Sequence, residues 1–168
     1  MTIKAVVFDI GGILEVIPEG GDPTSRFPQM LARWEQRVDM APGALSDAIT
    51  ALDERLVRAG KDGALGTCSY HEWVGALRAA TGWGAATTDA FMDDHWDTYI
   101  GEPNPELTAF FTSLRPRYKT ALLSNSFVGA REREQAARGF EDVADLIIYS
   151  HEVGLAKPDP RIYALTCE

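Results

Sequence analysis

The chain has 168 residues, 45% of them apolar and 24% charged, and its 25 acidic residues against 16 basic ones leave a formal charge of −9. That length allows one hydrophobic core, or a core with a small satellite, and the negative balance argues against a surface built to neutralise nucleic-acid phosphates or anionic lipid. The two cysteines, Cys68 and Cys167, have neither disulfide-framework nor zinc-site spacing, and no stretch reaches the roughly 18 consecutive apolar residues of a membrane span. A cytoplasmic protein acting on a small soluble ligand is the expectation.

Residues 3–8 form a β-branched run closed by Asp9, Gly11 and Gly12, the pattern of a strand buried on both faces of a parallel sheet. Helical patterns then follow one another from Thr24 to about Ile100. Phe27, Met30, Leu31 and Trp34 share one face of a helix over 27–38, and Leu45, Ile49, Leu52 and Leu56 share a face over 44–59. The stretch "SYHEWVGALRAATG" opens on a capping box, Ser69 with Glu72, and ends at Gly82. A further helix is predicted over 88–99. Asn104 as N-cap, Pro105 at the first helical position, and Leu107, Phe110, Phe111 and Leu114 on one stripe mark the next. "KTALLS" and "DLIIYS" read as strands on either side of a charged helix over 128–139, and a last helix starts near Pro158 or Asp159.

Strands that alternate with helices at the two ends of the chain predict a parallel α/β sheet, with the intervening helices as an inserted subdomain. Gly-, Pro- and acid-rich stretches at 17–23 and 100–105 set the expected boundaries. Residues 1–17 and 101–168 make the core, and 18–100 the helical insert.

In an open parallel sheet, ligands collect at the carboxyl ends of the strands. Asp9, Ser124 with Asn125, and Lys157 in "GLAKPDP" fall at or just beyond three such ends. A carboxylate can attack phosphorus as a covalent nucleophile, a hydroxyl and backbone N–H groups can bind phosphoryl oxygens, and an ammonium can offset the charge.

The motifs "VVFDIGGIL", "ALLSNS" and "HEVGLAKPDPRIY" occur in this order across residues 3–163, with a helical insert after the first. In this the chain resembles the haloacid dehalogenase-like (HAD) hydrolase superfamily, whose members are mostly phosphatases. The resemblance implies a Rossmann-like α/β core with a helical cap and Mg²⁺-dependent hydrolysis of a small phosphomonoester. It makes Asp9 the nucleophile that forms an aspartyl-phosphate and Ser124 the phosphoryl-binding hydroxyl, assisted by Asn125. Lys157 becomes the orienting cation, and Asp9 with the Gly11 carbonyl the Mg²⁺ ligands.

Two positions depart from the family pattern. Gly11 stands where a second aspartate commonly moves a proton at the leaving oxygen. The fourth motif, an acidic pair after a further strand, does not occur before Glu168. The family core is therefore expected to be C-terminally incomplete, leaving one side of strand 3–8 open to pairing with a second copy of the chain. Two alternatives stay open. One is a 2-haloacid dehalogenase-type hydrolase, which uses the aspartate without the metal and whose third motif Tyr163 fits. The other is a non-catalytic relative acting through interaction.

Other clusters read as structural. "DIGGIL" is no dinucleotide loop. Asp89, Asp93 and Asp97 recur on one solvated helical face, and His71, His95 and His151 have no paired spacing and are given no catalytic role. Trp34, Trp73, Trp83 and Trp96 are expected to pack the helical insert.

Overall fold

The computed structural model describes residues 2–16, 26–58 and 68–168. Its centre is a parallel sheet of β1 (Ala5–Phe8), β4 (Lys119–Ser124) and β5 (Leu146–Tyr149) in the order β1-β4-β5. The register pairs Phe8 with Leu122 and Ser124 with Tyr149, so all three carboxyl ends emerge on one side. β4 is central and is buried from Thr120 to Ser124. Side chains alternate across a sheet, and Leu122 and Leu123 accordingly enter two different clusters. Leu122 packs with Ile10, Phe111, Ala130, Phe140 and Tyr149. Leu123 packs with Ile148 and Ile162. The first cluster is closed by α5 (Pro105–Ser113), α6 (Ala130–Arg138) and α7 (Phe140–Val143), the second by α9 (Pro160–Thr166).

β1 corrects the expectation of a strand buried on both faces. It alternates between exposed and half-buried residues, and Val7 is 40% exposed. Phe8 is held on one face by Phe111, with ring centroids 4.9 Å apart. Among the described residues β1 is an edge strand, so a β-branched run that looks central in the sequence has neither a second neighbouring strand nor full cover on its other face.

The segment between β1 and α5 is helical, with α1 (Arg26–Arg37), α2 (Ala44–Leu52), α3 (Tyr70–Thr81) and α4 (Ala85–Tyr99). Met30, Trp34, Leu45, Leu52, Trp73, Leu77 and Phe91 fill a separate apolar cluster. Trp96 departs from the expected packing, since it leaves that cluster to join the one beneath the sheet. The Ser69–Glu72 capping box and the left-handed Gly82 bound α3 as its sequence requires. α2 starts at Gly43 without a cap of its own, and Glu35 of α1 takes over that task by accepting the Gly43 and Leu45 N–H groups, each at 2.9 Å. Past Leu52 the helix widens into a π-helical turn over Asp53–Val57, so the predicted helix over 44–59 loses its 3.6-residue period there, and Ala59 lies outside the described residues.

The chain passes between the two clusters at β2 (Glu15–Val16) and β3 (Glu102–Pro103), which pair antiparallel. Two residues are too few to show a period, and the sequence gives no warning of them. Gly101 permits this close approach, because a Cβ there would lie 2.7 Å from the Val16 carbonyl oxygen. Arg138 of α6 pins the crossing by donating to the Gly101 carbonyl and pairing with Glu15. The short helices α7 and α8 (Ser150–Val153) are likewise too brief to read from the sequence. No helix among the described residues is long and apolar enough to cross a membrane.

Candidate active site

Asp9 follows β1 directly, and the loop beyond it is anchored by Ile10 and Leu14, which are buried beneath the sheet. The N–H groups of Ile13, Leu14 and Glu15 all reach the Ile10 carbonyl. Gly12 turns the loop at φ 78°, a left-handed conformation that costs glycine little. The Ile10 N–H donates to Asp9 Oδ1 at 2.8 Å, which fixes the carboxylate. Its other oxygen, Oδ2, lies 2.7 Å from Lys157 Nζ.

Lys157 is delivered by the loop between α8 and α9, and its ammonium also donates to the Leu123 carbonyl of β4 at 2.9 Å. Asn125, just past β4, grips the same loop twice. Its Oδ1 accepts the Lys157 N–H at 2.7 Å, and its Nδ2 donates to the Lys157 carbonyl at 3.0 Å. The Asn125 side chain thus positions Lys157. Ser124 ends β4 and is buried. Asp9, Gly11, Ser124, Asn125 and Lys157, all five site residues predicted from the sequence, line one cavity of about 340 Å³.

Two carboxyl groups of that cavity were not anticipated from the sequence. Glu15 is buried on β2, and the loss of water raises its carboxyl despite Arg138 Nε at 3.2 Å, which is within ion-pair range but not aligned for a hydrogen bond. Glu134 lies in the "AREREQAAR" helix and is 1% exposed, its Oε2 accepting the Tyr149 hydroxyl at 2.7 Å. Burial pushes its carboxyl up to about 7, with Glu15 and Asp9 adding repulsion, against the opposing pull of Tyr149 and Arg138. The one available signal was spacing, since Glu134 lies four residues after the buried Ala130.

Because the folded value lies above the ordinary 4.5, the native state holds this proton more tightly than the unfolded chain. Its stabilising contribution is complete below about pH 4.5 and is lost as pH rises through about 7, a decline of about 3 kcal/mol. Glu134→Gln keeps an acceptor for Tyr149 and is expected to abolish that decline. Urea midpoints of both proteins at about pH 5 and about pH 8 check this.

Outside the cavity, Asp89, Asp93 and Asp97 are exposed, as expected of a solvated face. His151 Nδ1 lies 2.7 Å from Ser126 Oγ beside the Asn125 loop. His95 is buried among aromatic rings. No group of three or more His, Cys, Asp or Glu that could hold a metal ion occurs among the described residues.

A parallel α/β sheet with an inserted helical segment, and with a carboxylate, a hydroxyl and an ammonium gathered at its strand ends, places the chain among the α/β proteins whose sites form at such ends. Within that class, the family model for haloacid dehalogenase-like hydrolases matches residues 3–168, and the chain belongs to that family. It is 25% identical over 186 residues to bifunctional epoxide hydrolase 2 of Sus scrofa, covering 98% of this chain and 30% of that protein. It is also 25% identical over 99 residues to pyrimidine 5'-nucleotidase YjjG of Escherichia coli (strain K12), covering 59% of this chain and 42% of that protein. The chain spans less than half the length of these two curated relatives. A HAD family enzyme from Bacteroides thetaiotaomicron, solved with magnesium and inorganic phosphate, shares the fold with a TM-score of 0.59 at 18% identity, covering 98% of this chain and 77% of that one.

Proposed function

We propose that this hydrolase releases phosphate from a small phosphomonoester through a phosphorylated Asp9. The observation that carries the reading is the 2.7 Å pair of Asp9 and Lys157 in a cavity that also holds Ser124. Asp9 attacks phosphorus, and the bond to the leaving oxygen breaks as that oxygen takes up a proton. Water then attacks the same phosphorus, the Asp9–phosphorus bond breaks, and the carboxylate is restored. Lys157 orients Asp9 and balances the phosphoryl charge, and the Ser124 hydroxyl donates to a phosphoryl oxygen. Gly11 can move no proton, but Glu134 is a cavity carboxyl that keeps one near neutral pH, and it is the candidate donor to the leaving oxygen.

Mg²⁺ suits the donors present. Asp9 and the Gly11 carbonyl are hard oxygen donors, both residues line the cavity, and a Cβ built on Gly11 would meet nothing within 4 Å, so that side of the residue is uncrowded. Mg²⁺ is commonly held by one or two carboxylates with water and substrate phosphate completing the shell. When bound it would neutralise charge on the phosphoryl oxygens. The nucleotidase among the relatives supports a phosphate-ester substrate over a haloacid.

The test is phosphate release from a panel of small phosphomonoesters with Mg²⁺ and with EDTA. Release that EDTA abolishes is expected. Halide release from a 2-haloacid that EDTA does not affect would replace the reading with dehalogenation. No turnover of either class by protein with a normal circular-dichroism spectrum would favour a non-catalytic role.

A further inference from the structure

A second cavity of about 330 Å³ opens within the helical segment, and Phe27 and Tyr99 line both it and the cavity of Asp9. Its remaining wall includes Trp73, Phe127, His95 and Asp53. The rings form a connected cluster, with His95 lying 4.6 Å from Phe127 and 5.2 Å from Phe27 by centroid, and Trp73 edge-on to Phe127 at 4.8 Å. Asp53 Oδ1 accepts the Trp73 indole N–H at 2.9 Å, which presents a carboxylate beside this aromatic wall. His95 is 8% exposed, and its Nε2 is buried without a hydrogen-bond partner.

Such a wall has a definite preference. No Lys or Arg lines the cavity among the described residues, and Arg58, the one cation that acts on Asp53, stands outside that lining. Aromatic rings attract a cation through their quadrupoles, most strongly when it is desolvated, and Asp53 adds an opposite charge. His95, whose ring burial holds well below its usual range at about 4, is neutral and does not repel a cation. Burial raises the Asp53 carboxyl, against the pull of Trp73 and Arg58, so a cationic ligand would relieve a carboxylate that is poorly hydrated.

We propose that this cavity receives the alcohol part of the substrate and that the alcohol carries an ammonium group, held by Asp53 and by the rings of Phe27, Trp73, Tyr99 and Phe127. The inference rests on the phosphomonoesterase reading of Asp9 and narrows it to a zwitterionic ester, with phosphate at Lys157 and a cation at Asp53.

Choline and 3,3-dimethylbutan-1-ol match in shape and differ in charge, so their binding, measured by calorimetry and tryptophan fluorescence, isolates the cation. Choline is expected to bind the full chain about tenfold more tightly, and in an Asp53→Asn protein the ratio is expected to fall to about threefold, the preference that the rings keep on their own. Equal affinities, a preference for the neutral alcohol, or no saturable choline binding would overturn the proposal. So would an Asp53→Asn protein that unfolds like the parent yet keeps the ratio. The two phosphate esters then separate the inference from the reading beneath it. Preferential choline binding with no phosphate released from either ester would remove the phosphatase reading and leave the cation site standing. Equal kcat/KM for both esters would keep the phosphatase and remove the cation site.

Discussion

An Asp9→Asn protein is expected to lose phosphate release by at least about ten-thousandfold, the scale seen when a covalent nucleophile is removed, while folding as the parent does. The asparagine Oδ1 can still accept the Ile10 N–H that Asp9 accepts now, so the loop loses no backbone partner. What disappears is the anionic oxygen facing Lys157. That pair is partly open to solvent, with the Asp9 side chain 41% exposed, so its loss should alter stability little. Steady-state phosphate release beside a thermal unfolding curve separates the two effects. A variant that retains the parent's rate would remove Asp9 from the mechanism.

Lys157→Met should be the next most damaging change. Methionine keeps much of the apolar stem but leaves Asp9 without its cation and removes the ammonium's bond to the Leu123 carbonyl. The loop itself should stay in place, because Asn125 holds it through the main-chain N–H and carbonyl of residue 157, which the substitution keeps. Removing one preorganised donor to developing charge costs about a hundred- to a thousandfold in turnover, and a fall of that size is expected in kcat. A change confined to KM would mean that Lys157 only binds substrate.

Four of the five site residues were legible because a parallel sheet turns sequence order into position. A short apolar run followed by Asp9, another followed by Ser124 and Asn125, and Lys157 beyond the third all emerge at one end of the sheet. The edge position of β1 was partly legible. Its open side was expected, but its exposed Val7 face was not, because apolar identity alone cannot show which neighbours cover a strand. Glu134 was hidden by composition, since an exposed charged helix and one that turns a single carboxyl inward read alike. The ring of Phe27, Asp53, Trp73, His95, Tyr99 and Phe127 was hidden for a different reason. Its members come from α1, the π-helical turn, α3, α4 and the loop after β4, and only packing brings them to one cavity. His95 in particular offers no spacing to read, and its significance is its burial.

The central claim is a phosphorylated Asp9, and chemical trapping tests it most directly. Protein mixed with a hydrolysed phosphomonoester and Mg²⁺, then quenched into borohydride and sequenced by mass spectrometry, should carry homoserine at position 9, the reduction product of an acyl phosphate. Recovery of unmodified Asp9 from protein that is releasing phosphate, with the reduced residue at another carboxylate, would contradict the account.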